Sequence, residues 1–239
     1  MAVPSSDLGR VSRRWMMVAT ALCLAVTIGG GRARADDVDT TPAKLSGRPL
    51  LDALRRGGYV VFLRHGSTSR DQQDTDTDRD HLDDCSKQRN LSDRGRADAA
   101  AVGEAFRALH IPVGDVRASP YCRCMDTARL AFGRVEKEPK LIYSVGASRQ
   151  ERDTLTYALQ ELLSIAPPVG ENTVLAGHTS NVKDAAQVWP NSDAEVLVFE
   201  PRASAGFAYV GRIALADWPA LVAEIAPLPS TGSADGGAP

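Results

Sequence analysis

The chain has 239 residues, 43% of them hydrophobic and 24% charged, a globular composition with enough apolar material for one sizeable core. Its formal net charge of -2 excludes the basic signature of a nucleic-acid binder. Four cysteines without histidines at ligand spacing exclude a zinc pattern, and neither a metal nor a cofactor is expected.

Residues 1–35 read as an export leader. Arg10, Arg13 and Arg14 form a basic start, residues 15–28 are almost entirely apolar, and Ala33-Arg34-Ala35 is a small-x-small cleavage signal before Asp36. Ser12-Arg13-Arg14 resembles a twin-arginine export signal. The apolar run is short for a membrane span, so no stable span is expected after cleavage, and the protein is expected to be periplasmic or secreted. The competing reading is an uncleaved anchor. Leu22 before Cys23 argues against a lipoprotein. Removing the leader's five arginines and one aspartate takes the net charge from -2 to -6, so any attraction for phosphate must be local. Of the cysteines left, Cys85 is expected to pair with Cys122 or with Cys124.

Residues 36–48 are polar, with Pro42 and Gly47, and read as a flexible lead-in to a domain over 49–225. Residues 49–56 suit a short helix stopped by Gly57-Gly58. Val60-Val61-Phe62-Leu63 is a β-branched apolar run, the pattern of a buried strand, and it stops at Arg64-His65-Gly66. A long polar loop then runs over 67–90, with seven aspartates between Asp71 and Asp84. Asp74, Asp76 and Asp78 look like the start of a calcium loop, but Arg79 replaces its glycine and Cys85 its final glutamate. The loop is read as solvated and lying over the site.

Ser92 is a helix N-cap for residues up to about 109, with Val102, Ala105, Phe106 and Leu109 on the apolar face. A short strand over 116–118 leads to Ser119-Pro120, where a helix carrying Arg123, Thr127 and Arg129 begins and runs to Gly133. Residues 141–143 suggest another strand. Ser148 and Glu151 form a capping box before Leu155, Leu159, Leu162 and Leu163. A strand over 173–177 ends at His178, residues 181–188 are helical, and two strands follow over 195–199 and 206–213. Residues 226–239 are small, polar and proline-rich, and read as disordered.

Strands alternating with helices imply a three-layer α/β/α sandwich around a mainly parallel sheet. Ligands in such folds sit beyond the carboxyl ends of the strands. Arg64-His65, the approach to Arg123, and His178 all follow strand ends. Arginine offers a fork of donors to phosphate oxygens, and imidazole can act as nucleophile or base.

The pieces Leu63-Arg64-His65-Gly66-Ser67-Thr68, Leu91-Ser92-Asp93-Arg94-Gly95-Arg96, Ser119-Pro120-Tyr121-Cys122-Arg123 with Thr127-Ala128, and Ala176-Gly177-His178 together resemble the histidine phosphatase superfamily, the phosphoglycerate mutase-like fold. They keep that family's order over roughly residues 58–210. The resemblance implies metal-independent hydrolysis of a phosphomonoester, with a phosphohistidine forming on His65. It implies that Arg64, Arg123 and His178 bind the phosphoryl oxygens, with Gly66, Ser67 and Thr68 beside them at the substrate. Two arginines beside His65 favour its neutral, nucleophilic form. The proton donor is expected to be Glu195, with Glu151 and Asp184 as the other candidates. Thr179 after His178 departs from the pattern in which an aspartate stands there. Arg89 and Arg94 either reach a substrate or pair with aspartates of the 71–84 loop, and the ion pair is the favoured reading. The expected partner is a phosphorylated small molecule or an envelope glycan. The alternatives are a phosphohistidine (phosphoramidate) phosphatase and a non-catalytic phosphate-binding module.

Overall fold

The computed structural model describes residues 43–75 and 79–224. The expected leader over 1–35, most of the lead-in, Asp76, Asp78 and the tail over 226–239 lie outside the described residues. Among the described residues six helices and six strands follow in the order α1 (Gly47–Arg56), β1 (Val60–Arg64), α2 (Asp93–Ala108), β2 (Val113–Ala118), α3 (Cys122–Phe132), β3 (Glu136–Lys137), α4 (Arg149–Ser164), β4 (Asn172–Gly177), α5 (Thr179–Ala186), β5 (Val196–Pro201), β6 (Phe207–Ile213) and α6 (Trp218–Ala223). The strands form one sheet in the order β3-β2-β4-β1-β5-β6. β1 to β4 run parallel, β5 runs antiparallel to β1, and β6 antiparallel to β5.

Alternation along the strands splits the core into two layers. Val61 and Leu63 of β1 pack with α1, α2, α3 and α6, through Leu51, Val102, Phe106, Ala128 and Trp218. Val60 and Phe62 face the other way, onto Leu159 and Leu163 of α4 and Val182 of α5. β1 is paired on both sides and covered on both faces, so its apolar residues are all buried, as a continuous Val-Val-Phe-Leu run requires. The three-layer α/β/α architecture follows. Among the described residues, no helix is long and apolar enough to cross a membrane.

The caps behave as their chemistry dictates. Ser92 Oγ accepts from the Gly95 N–H at 3.1 Å, and Ser148 Oγ from the Glu151 N–H at 3.2 Å. Gly133 ends α3 in the left-handed conformation that favours glycine. Residues 141–143 are not a strand. Leu141 closes a short 3-10 turn and buries against α4, while the exposed pair Glu136–Lys137 forms the edge strand beside β2. The C-terminal α6 has no counterpart in the sequence reading.

Candidate active site

The parallel order β2-β4-β1 brings three carboxyl ends to one edge of the sheet. Register sets them side by side: Arg64 opposes Gly177, and Ala118 opposes Ala176. The ladder continues one residue further, as the His65 N–H donates to Gly177 O at 3.1 Å and the Ser119 N–H to Ala176 O at 2.9 Å. His65 and His178 therefore lie next to each other, with ring centroids 5.4 Å apart in an edge-to-face arrangement. Because β5 is antiparallel, its first residues reach the same edge, and Glu195 O accepts from the Arg64 N–H at 3.1 Å.

His65 is held by its neighbours. Its Nδ1 is 2.8 Å from Gly66 O, which can only accept, so Nδ1 carries the proton and Nε2 keeps its lone pair. Burial pushes the imidazole pKa down to about 4; the Gly66 bond opposes this, and the Arg123 and Arg64 charges add to it. His65 is thus neutral over the physiological range. Gly66 has two structural duties. Its N–H donates to Thr127 Oγ1 at 3.0 Å, and a Cβ there would lie 2.5 Å from Gly95 O. Gly95 in turn packs against the Ser67 backbone, where a Cβ would come within 2.0 Å of Ser67 O. The loop after β1 and the first turn of α2 thus meet backbone to backbone, and both positions must lack a side chain.

His178 is the N-cap of α5, and burial, His65 and Arg123 keep its pKa well below the usual imidazole value. Ser119 Oγ lies 2.9 Å from its Nε2, and Cys124 Sγ lies 3.5 Å from the same atom. The Cys124 thiol is fully enclosed, and burial pushes its pKa up to about 12.

Arg123 is the largest fully buried side chain, 0% exposed. Its guanidinium lies over the rings of Tyr121 at 4.4 Å and Tyr143 at 5.4 Å. Nη1 donates to Asp74 Oδ1 at 2.9 Å, while Nε and Nη2 are buried without a partner. Arg64 Nη2 pairs with Asp193 Oδ1 at 2.9 Å, and its Nε is likewise buried and unpartnered. Arg89 Nε is a third such donor, and Arg89 also depresses the His178 pKa by charge. Buried donors of this kind are costly unless an acceptor reaches them. Three guanidiniums around two neutral imidazoles make a receptor for a multiply charged oxyanion.

The expected ligand positions divide. Arg64, His65, Arg123 and His178 come together. The Gly66 N–H is taken by Thr127, Ser67 Oγ donates to Asp193 Oδ2 at 3.0 Å, and Thr68 bridges to Leu91, so these three shape the loop. Glu195 is buried beside the site, but its Oε2 accepts the Asn191 and Ser192 N–H groups and its Oε1 faces Arg212 at 3.7 Å. Burial raises the Glu195 pKa against those contacts. Glu151 is ion-paired with Arg79, and among the described residues no contact ties Asp184 to the site. Arg94 pairs with Asp98 of its own helix at 3.7 Å, and among the described residues it has no ion pair with the acidic loop. Among the described residues, Arg89 meets the loop through its backbone N–H, which donates to Asp74 Oδ1 at 3.0 Å.

Cys85 pairs with Cys122, leaving Cys124 free. The bridge ties the acidic loop to the first turn of α3, one residue before Arg123. Gln88 reinforces it, accepting from the Cys122 N–H at 2.9 Å and donating to Leu82 O at 2.8 Å. Among the described residues, no cluster of His, Cys, Asp and Glu could hold a metal ion.

The family model described as histidine phosphatase superfamily (branch 1) matches residues 60–143, which carry Arg64, His65 and Arg123. The matched segment is about a third of the 239-residue chain, and over that segment the chain is similar to the histidine phosphatase superfamily. No curated protein matches the chain closely enough to count as a relative. Several solved structures resemble it at low identity. A phosphoserine phosphatase mutant from Entamoeba histolytica is 12% identical with a TM-score of 0.45, covering 66% of this chain and 97% of its own. The protein histidine phosphatase SixA complexed with tungstate is 13% identical with a TM-score of 0.45, covering 66% and 98%. A mycobacterial glucosyl-3-phosphoglycerate phosphatase is 15% identical with a TM-score of 0.44, covering 64% and 96%. Asp193 and Asp74 are the residues of this site that sequence reasoning missed, while Arg89 is named there but assigned to ion pairing with the acidic loop. The start of an antiparallel strand at the pocket edge was the available signal for Asp193. None marked Asp74 among seven similar aspartates.

Proposed function

We propose that the protein is an exported phosphatase that hydrolyses a phosphomonoester without a metal, through a phosphohistidine on His65. One observation carries the reading: His65 presents a buried, neutral Nε2 lone pair among guanidiniums whose buried N–H groups at Arg64 Nε, Arg89 Nε and Arg123 Nε and Nη2 have no acceptor among the described residues. In the first step Nε2 attacks phosphorus and the ester oxygen leaves. Arg64, Arg123 and His178 hold the equatorial oxygens as charge spreads over them. In the second step water attacks phosphorus and His65 departs as a neutral imidazole.

Export rests on the leader over 1–35 and is supported by the Cys85–Cys122 bridge, since disulfides persist in oxidising compartments. A phosphoramidate substrate is the second reading. It is favoured by the commitment of both Glu195 oxygens, because a protonated nitrogen leaving group needs no carboxylic acid.

The test is hydrolysis of p-nitrophenyl phosphate by the purified protein, with added chelator, beside His65→Ala. Turnover that survives chelation, disappears in the variant and leaves a trapped phosphohistidine supports the mechanism. Turnover retained by His65→Ala overturns it.

A further inference from the structure

Three carboxylates lie beside the arginines and histidines of the site, and their commitments differ. Asp193 uses both oxygens, Oδ1 on Arg64 and Oδ2 on Ser67 Oγ. Glu195 uses both, on two backbone amides and Arg212. Asp74 spends only Oδ1, which accepts from Arg123 Nη1 at 2.9 Å and from the Arg89 N–H at 3.0 Å. Its Oδ2 has no hydrogen-bond or ion-pair partner among the described residues. A proton donor needs an oxygen free to carry the proton and a position within reach of the reacting group. Asp74 meets both needs: its bonded oxygen is fixed to the arginine that binds the phosphoryl group, and its free oxygen is not required for that bond. Its side chain is 26% exposed, so it can also take a proton from water.

We infer that Asp74, delivered to Arg123 by the disulfide-anchored loop, is the general acid that protonates the leaving oxygen and the general base of the second step. The inference rests on the phosphohistidine reading above. A docked phosphoryl dianion competes with Asp74 for Arg123 Nη1, which frees the carboxylate to turn toward the leaving oxygen. The atoms then balance. His65 Nε2 forms a bond to phosphorus and the P–O bond breaks. The electron pair goes to the ester oxygen, which takes the Asp74 proton and leaves as an alcohol. In the second step the Asp74 carboxylate takes a proton from the attacking water. The P–N bond breaks with its electron pair returning to Nε2, leaving inorganic phosphate and a reprotonated Asp74.

The loop position explains why the acid is invisible to motif reading. It comes from a segment more than forty residues before Arg123, and the link is made by the Cys85–Cys122 bridge and the Gln88 contacts.

The test compares Asp74→Asn with the wild-type full chain on two substrates. Asparagine keeps an oxygen for Arg123 but cannot donate an acidic proton. p-Nitrophenyl phosphate has a leaving group that departs unprotonated, while benzyl phosphate needs the proton. We expect kcat/KM for benzyl phosphate to fall by about 100-fold and that for p-nitrophenyl phosphate by less than about threefold. The variant should also release a burst of nitrophenolate as phosphohistidine accumulates, because the second step has lost its base. Equal losses on both substrates would make Asp74 a residue that only positions Arg123 and would overturn the proposal. An unchanged rate on benzyl phosphate would overturn it too. Acid-quenched phosphohistidine on the wild-type protein is measured in parallel. Its absence there removes the His65 reading and this inference with it, whereas its presence with equal losses removes only the role of Asp74.

Discussion

Opening the Cys85–Cys122 bridge should cost the fold stability and the site its acidic loop. The bridged residues are 37 apart in sequence, and closing a loop of that size removes chain entropy from the unfolded state worth about 4 kcal/mol at 25 °C. The loop has little apolar packing of its own. It is held by Gln88, by Asp74 on Arg123, by Asn90 and by the Thr68–Leu91 bridge. The double variant Cys85→Ser/Cys122→Ser, compared with the oxidised protein in a urea titration, should therefore unfold at a midpoint lower by about 2 M, taking an m-value of about 2 kcal/mol/M. KM for a phosphomonoester should rise in the same variant, since the segment carrying Asp74 and Arg89 is no longer anchored beside Arg123. Identical midpoints would refute the loop-closure argument. A lower midpoint with unchanged KM would show that the loop keeps its place on Gln88 and the ion pair alone.

Other expectations follow from contacts already described. His65 has a folded pKa of about 4 against 6.5 unfolded, so its contribution to stability is complete above pH 6.5 and is lost as the pH falls toward 4. That loss is up to about 3 kcal/mol, with His178 adding in the same direction. Urea midpoints at pH 7 and pH 4.5 measure it, and kcat/KM should show an acid limb near pH 4; a limb near 6.5 would mean that His65 is not desolvated. Gly95→Ala places a Cβ 2.0 Å from Ser67 O, and the expected cost is about 2 kcal/mol in a melt together with reduced kcat, because the loop bearing His65 must shift. An unchanged melting temperature would contradict the close approach. Asn172 is fully buried, donates to Leu54 O at 2.7 Å and Pro112 O at 2.8 Å, and accepts from the Tyr59 N–H at 3.2 Å. Asn172→Ala should lower stability by about 3 kcal/mol while leaving the pH profile of turnover unaltered, read by urea titration and a rate–pH curve. A shifted profile would mean that Asn172 affects the site as well as the fold.

The legible parts of this protein are those where a local pattern and the tertiary solution agree. The Val60-Val61-Phe62-Leu63 run could only be a central strand, and its abrupt end at Arg64-His65 marked the pocket edge. Ser92 and Ser148 began helices because a hydroxyl there satisfies an N–H that the helix leaves open. Leu141-Ile142-Tyr143 misled because apolar side chains serve equally to pair in a sheet or to cover one. Here Asn181 takes up the local backbone groups, with its Nδ2 on Ile142 O and its Oδ1 on the Ser144 N–H. Glu136–Lys137 could not be found from pattern, since a two-residue exposed edge strand has no apolar face. In the site, residues next to strand ends were recoverable and loop residues were not. Glu195 was sought in the right turn, but the carboxylate that meets Arg64 belongs to Asp193, two residues earlier. The choice between Cys122 and Cys124 turned on which one faces the loop at the start of α3, which spacing does not encode.

The deep burial of Cys124 has a bearing on the bridge beside it. A free thiol two residues from a disulfide is its nearest rival, because thiol–disulfide exchange needs only a thiolate and access to a sulfur. With its pKa at about 12, Cys124 is ionised in roughly one molecule in 10⁵ at neutral pH. It is also fully buried, with its Sγ 3.5 Å from His178 Nε2. The Cys85–Cys122 pairing is thereby protected from scrambling by chemistry rather than by distance, and a third cysteine is tolerated in the middle of the site.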